Sequence, residues 1–196
     1  MTSLPLAPYR RALEAYIDAK DNTRAQRMSD AFTSDAVLTI SLATSNIAFP
    51  ARTVGIDAIT KTLVTDFGAT YTRCRTYYVC DSITVREGAI DPLPWLVMMR
   101  EPATGALRVG HGVYRWAFDD TPAVSRFHIH IARMDVVPDA DGALLHALQG
   151  GLSYPWLAPA DLQTRFTEHA RSTPALTFVE AFSCPADAPE SGQSRA

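Results

Sequence analysis

Cysteine is scarce and badly placed for cross-linking. The 196 residues hold three, Cys74, Cys80 and Cys184, without C-x-x-C spacing, and the first two fall on one strand, too far apart to bridge. No disulfide framework is expected, and a reducing cytoplasm suits this usage. No segment approaches the roughly 18 apolar residues of a membrane span, and the opening MTSLPLAPYRR lacks the basic start and long apolar run of an export signal. Charge of one sign is not concentrated anywhere: 16 of the 18 basic residues are arginine, interleaved with 21 acidic ones for a net charge of −3. Nucleic acid and membrane are therefore not expected partners. The phosphate-cradling patterns G-x-x-x-x-G-K-[ST] and G-x-G-x-x-G do not occur, so no nucleotide cofactor is expected. What remains, with 47% hydrophobic and 20% charged residues, is a chain suited to one domain with a sizeable core.

Periodicity divides the chain in two. PYRRALEAYIDAK (8–20) puts Leu13, Tyr16 and Ile17 on one helical face, with a proline in the first turn. After it, Thr23 is placed to cap a second helix, RAQRMSDAF, completing a helical hairpin. DAVLTISLA (35–43) switches to β composition, and AFPARTV (48–54) reads as a short edge strand because Pro50 cannot donate to a ladder. IDAITKTLVTDFG (56–68) returns to helical spacing through Ile56, Ile59, Leu63 and Phe67. From there to 137 come four strands, YTRCRTYYVCDSITVRE, PWLVMMREP, ALRVGHGVYRWAF and SRFHIHIARMDVV, joined by turn clusters. PWLVMMREP alternates apolar residues on both sides and is expected to be buried on both faces. Helices first and a long antiparallel sheet afterwards specify an α+β fold, three N-terminal helices packed on one face of a curved, mostly antiparallel sheet. Residues 138–183 read as an extension with a helix near 159–172, in which Trp156 forms an aromatic plug between prolines, and 184–196 as a disordered tail.

This element order, with AFTSDAVLTI after the hairpin, VGIDAI opening the third helix and FHIHIARM closing the sheet, resembles the nuclear transport factor 2-like superfamily across residues 8–137. The resemblance implies a cone-shaped fold with a pocket between sheet and helices. Its members include ketosteroid isomerases, SnoaL-type cyclases, scytalone dehydratase, a hexachlorocyclohexane dehydrochlorinase and non-catalytic transport proteins, so fold alone does not set function. By that resemblance Tyr16 stands where ketosteroid isomerases carry a hydrogen-bonding tyrosine, Ile40 where they carry the aspartate base, and Tyr114 near their later acid. In the dehydratase and dehydrochlorinase branch an aspartate after the first helix pairs with a histidine near the start of the third strand. Asp21 lies near the first position, but GATYTRCRTYY offers no histidine. Asp21 is then expected to be a turn and capping residue near the surface, with an ordinary pKa.

Strand alternation weighs on the histidines. If odd residues of one strand of the last hairpin pair with even residues of the other, Gly110, Gly112, Tyr114, Trp116 and Phe118 share a face with Phe127, Ile129 and Ile131. The opposite face then collects His111, Arg115, Arg126, His128 and His130. The other parity scrambles polar with apolar on both sides, so the segregating register is preferred. A three-histidine zinc site has suitable spacing but is opposed by the two arginines and lacks a carboxylate to orient the rings, so no metal is expected.

The expectation is a cytoplasmic small-molecule-binding protein with an apolar pocket walled by Trp116, Phe127, Ile129 and Ile131. Tyr16 and Tyr114 would polarise a carbonyl and His128 would move a proton, in a cofactor-independent isomerase, cyclase or dehydratase. The competing expectation is a non-catalytic ligand-binding or interaction protein on the same scaffold. His111 and His130 would lie in the interface of a homodimer formed through the sheet, or serve as alternative acid and base if the faces are reversed. The ligand would be small, organic and mostly apolar.

Overall fold

A computed structural model describes residues 6–182. The tail read at 184–196, with Cys184, lies outside the described residues. Helix α1 spans Leu6–Asp21 and buries Leu13, Tyr16 and Ile17 as the spacing implies. The expected second helix is instead a six-residue 3-10 helix, Ala25–Asp30, with Met28 in the core. Its physical reason is the shortness of the connection: the Arg24 N–H already bonds back to the Ala19 carbonyl, and β1 begins at Phe32. Such tight connectors are the usual place for 3-10 turns. The next helix runs as α2 (Ile56–Thr60), a π-helical turn (Lys61–Thr65) and α3 (Asp66–Thr70).

Strands β1 (Phe32–Leu42), β2 (Arg52–Val54), β3 (Thr72–Val79), β4 (Ala89–Glu101), β5 (Ala106–Phe118), β6 (Val124–Val137) and β7 (Trp156–Leu157) form one sheet in the order β2-β1-β6-β5-β4-β3-β7. It is mixed, since β1 runs parallel to β6 and β7 parallel to β3. In β5 and β6, Trp116 pairs with Phe127, Tyr114 with Ile129 and Gly112 with Ile131, which is the segregating register. A bulge follows at once, because His111 pairs with Arg133 and leaves Ala132 without a partner. Glycine is required there: a Cβ at Gly112 would run into the His130 carbonyl.

Alternation sends one half of the side chains to each of two cores. On the inner face, Trp95, Val97, Met99, Tyr114, Trp116, Phe127, Ile129 and Ile131 pack under α1 and the 56–70 helical segment. On the outer face, Tyr77, Val79, Leu96, Met98, Leu107 and Val109 are covered by the extension. That layer consists of α4 (Ala143–Gln149), α5 (Pro159–Ala170) and a 3-10 helix (Pro174–Phe182). Helix α4 was not anticipated. The Asp139 carboxylate starts it by accepting the Leu144 and Leu145 N–H groups, both at 3.0 Å. Trp156, read as a plug, is a strand residue of β7 whose ring packs tilted against Tyr78, with centroids 4.8 Å apart. Among the described residues no helix is long and apolar enough to cross a membrane.

Phe166 of α5 is wholly buried in the outer core and lies edge-on to Phe178. Truncation to alanine there is expected to cost about 3–5 kcal/mol, the usual loss for a buried aromatic, and urea unfolding monitored by circular dichroism measures it.

Candidate functional site

Tyr16 and Lys20 lie one turn apart on α1 and so project from the same side of the helix into the gap above the inner sheet face. That gap is a cavity of about 30 Å³, room for roughly one or two water molecules. Ile40, Val97, Met99, Ile129, Ile131 and Met134 supply its apolar floor, Leu63 and Phe67 its helical wall, and Ile47 and Phe49 close it from the loop after β1. Its polar edge consists of Tyr16, Tyr114, Trp95 and Lys20. The Tyr16 hydroxyl and the Trp95 indole nitrogen are buried without a hydrogen-bond partner. Tyr16 contacts Tyr114, Trp116 and Phe127 edge-on, at centroid distances of 6.1, 5.3 and 5.2 Å. Its hydroxyl lies toward Tyr114 without making a bond of good geometry to it. Burial pushes both phenol pKa values well above their ordinary range, so both remain neutral O–H donors.

Behind the cavity stands a buried charge pair. The Asp21 carboxylate accepts Lys20 Nζ at 2.9 Å, Cys74 Sγ at 3.2 Å, the Thr76 hydroxyl at 2.9 Å and backbone N–H at 2.5 Å, and the Tyr154 hydroxyl at 2.9 Å. Lys20 Nζ also donates to Thr76 Oγ1 at 2.7 Å and to Cys74 Sγ at 3.4 Å, and rests 4.4 Å from the Phe67 ring centroid. Burial disfavours both charges, but their mutual attraction outweighs it: the Asp21 pKa is lowered and the Lys20 pKa raised. For Cys74 the Lys20 charge does not offset burial, which the Asp21 charge reinforces, and the thiol is pushed up to about 12. It is therefore a poor nucleophile at neutral pH.

Asp21 is thus not the near-surface turn residue expected. It ends α1 with its side chain 1% exposed, because β3 reaches it with Thr76 and the extension covers it with Tyr154. Cys74 occupies the start of β3, where the resemblance would put a histidine. With its oxygens filled by five donors, Asp21 is a poor base, though for a reason opposite to an ordinary pKa.

The histidines lie on the outer face. His128 contacts Thr39 Oγ1 at 2.8 Å and Ser41 Oγ at 3.1 Å, and His130 contacts the same Ser41 at 2.9 Å. Burial, with Arg115 beside it, lowers the His128 pKa. A shallow groove of about 280 Å³ runs past His128, Thr39, Arg115, Arg126 and Asp91, and Arg115 Nε donates to Asp91 at 2.8 Å. The groove is the larger space, but its charged side chains sit at the open surface, whereas the Tyr16 hydroxyl and the Trp95 indole nitrogen, both buried without a partner, belong to residues that line the inner cavity. His111 is stacked on Phe178 at 4.6 Å and meets Phe182 edge-on. Burial brings its pKa down to about 4, so it is neutral at pH 7. Among the described residues no group of three or more His, Cys, Asp or Glu side chains is arranged to hold a metal ion.

Of the residues singled out in the sequence, Tyr16, Tyr114, Ile129 and Ile131 line the cavity. Trp116 and Phe127 are instead stacked on one another at 3.7 Å in the core beside it. His111, His128 and His130 are on the far side of the sheet. Sequence reasoning missed Lys20, yet a signal was present: it continues the apolar stripe Leu13, Tyr16, Ile17 by the next helical step, so its charge had to find a buried partner.

No protein-family model and no curated protein sequence matches the chain. Solved structures do match in fold. A type 2 hexachlorocyclohexane dehydrochlorinase superposes with a TM-score of 0.53 at 12% identity, over 67% of this chain and 88% of that one. TerC, co-crystallised with polyporic acid, gives 0.50 at 10% identity, over 71% and 95%. The chain has the nuclear transport factor 2-like fold. At such identities the likeness is one of architecture, and within this nuclear transport factor 2-like scaffold the cavity chemistry is the chain's own.

Replacing Lys20 by methionine leaves Asp21 buried without its counter-ion and is expected to cost about 3–5 kcal/mol, measurable by urea unfolding. The Asp21 pKa is depressed on folding, so its contribution is complete above the unfolded value of about 4 and is lost as pH falls through the folded value. The stability gap between wild type and Asp21→Asn is therefore expected to narrow on acidification below about pH 4, as read by denaturation at pH 7, 4 and 3.

Proposed function

We propose that this chain binds a small, mainly apolar organic molecule in the inner cavity, gripping one acceptor oxygen of it. The observation that carries this reading is the Tyr16 hydroxyl, buried without a partner at the cavity edge. A buried polar atom left unpaired costs about 1–3 kcal/mol, a cost that an incoming carbonyl, ether or nitro oxygen removes. Trp95 and Tyr114 stand on the same edge, in a wall that is otherwise apolar. The adjacent Lys20 charge disfavours a cationic guest.

Among the described residues the lining includes no carboxylate or imidazole, and Asp21 behind it is fully engaged. That favours the non-catalytic binding alternative over a His128-driven proton transfer. A second reading, a cofactor-independent isomerase, cyclase or dehydratase, draws support from one feature. Tyr16 lies in the field of the Lys20 ammonium, which strengthens its hydroxyl as a donor to a polarised carbonyl, and the proton acceptor would then come from the substrate or a water. A homodimer through the sheet would use the β1–β6 half of the outer face, the half that the extension leaves open and where His128 and His130 lie.

Tyr16→Phe tests the reading. Because it deletes an unpaired hydroxyl, it is expected to leave stability unchanged or raise it by about 1 kcal/mol. It is also expected to weaken a small aromatic ketone roughly tenfold, the worth of one hydrogen bond, as measured by calorimetry. Equal binding by the two proteins would remove Tyr16 from the site.

A further inference from the structure

Resting on that reading, a second question is how anything enters. A site for an organic ligand usually offers about 300 Å³ or more, and this one has about 30 Å³. Some part of the wall must move. The strands and helices contribute residues held in regular hydrogen-bond ladders, but Ile47 and Phe49 come from residues 43–50, which form no helix or strand. Among the described residues no backbone to backbone hydrogen bond holds residues 44–50. The segment is fastened at its two ends, where Ala43 N–H bonds the Ile131 carbonyl at 2.9 Å and the Ala51 carbonyl accepts Ile40 N–H at 3.0 Å. Between them Asn46 makes the tie: its Nδ2 donates to the Met134 carbonyl at 2.7 Å, and its own carbonyl accepts from Arg108 at 3.0 Å.

We propose that residues 43–50 are a lid hinged at Ala43 and Ala51 and latched by Asn46, that Phe49 is its plug, and that the ligand carries an aromatic ring which takes the place of Phe49. The plug's own contact argues for the ring. Phe49 and Phe67 are near-parallel, 18° apart with centroids separated by 6.5 Å, and Phe67 is also the ring on which the Lys20 ammonium rests. Swinging Phe49 outward uncovers a flat aromatic surface in the cavity wall, next to the donors at Tyr16, Tyr114 and Trp95. A guest with a flat ring at one end and an acceptor oxygen at the other satisfies both ends. Phe49 and Ile47 are only partly buried in the closed form, so their exposure on opening is a small step.

Acetophenone, a ring bearing one acceptor oxygen, is the probe, with cyclohexyl methyl ketone as its non-aromatic counterpart. Binding to the full chain is followed by stopped-flow tryptophan fluorescence, with circular dichroism confirming that each variant is folded. Asn46→Ala, which removes the side-chain tie to Met134 and leaves the cavity lining unchanged, is expected to raise the association rate at least fivefold. Phe49→Ala is expected to tighten acetophenone at least tenfold and to prefer it over the cyclohexyl ketone at least fivefold. If wild type binds acetophenone but both variants stay within twofold of it in rate and affinity, the lid is wrong and the binding reading stands. Equal affinity of Phe49→Ala for the two ketones rejects the aromatic guest. If folded wild type and both variants all show no saturable binding, the binding reading itself fails and the lid with it.

Discussion

The alternation of side chains along β4, β5 and β6 is the constraint from which the architecture follows. Each of these strands is buried on both sides over part of its length, so a one-residue slip would exchange the contents of two different cores. Trp95 and Val97 belong under the N-terminal helices, while Leu96 and Met98 belong under α5 and the last 3-10 helix. The bulge at Ala132 holds this register, because it absorbs one residue where Gly110 and Gly112 lie opposite Val97 and Trp95. Gly110 also leaves room for the Met134 side chain, whose end a Cβ there would meet.

Burying a sheet on both faces changes what an N-terminal α+β core must do for itself. The outer surface of β3, β4 and β5 is apolar and is covered by the chain's own extension, so the homodimer expected through the sheet is left with a narrower face. The cover is also wired into the inner layer. Tyr154 reaches Asp21, and Trp156 donates to Glu14 at 2.6 Å while Arg10 sits over its ring. Helix α1, which carries Tyr16 and Lys20, is therefore tied to the C-terminal extension.

Local pattern made much of this legible. The element order, the segregating register, the two-sided burial of PWLVMMREP and the inward position of Tyr16 all depend on neighbours within a few residues or on parity. The failures have a common cause, which is distance along the chain. Asp21 looks like a capping residue because Asn22 and Thr23 follow it, and nothing nearby reveals that Thr76 and Tyr154 will enclose it. His111 looked like a subunit contact, but Phe178, 67 residues later, is its partner. The 3-10 helix was read as an α-helix because Met28 and Phe32, four apart, fit the 3.6-residue period, whereas Phe32 in fact opens β1. Cavity volume is set by how side chains from seven elements and a loop meet, and no spacing rule reports it.

The bond between Tyr154 and Asp21 spans 133 positions, and that separation bears on how the molecule is made. During synthesis from the N-terminus, α1 emerges with an acidic and a basic side chain on its last turn that water still solvates. Neither can be withdrawn from solvent until β3 arrives with Thr76, and the shield is complete only when the strap before β7 has been added. Domains generally fold as units as they emerge, and contacts this remote carry the largest loop-closure cost. Sealing of the ion pair is thus a late event, and the nascent helical layer remains hydrated at its charged end until the chain has been made as far as Tyr154.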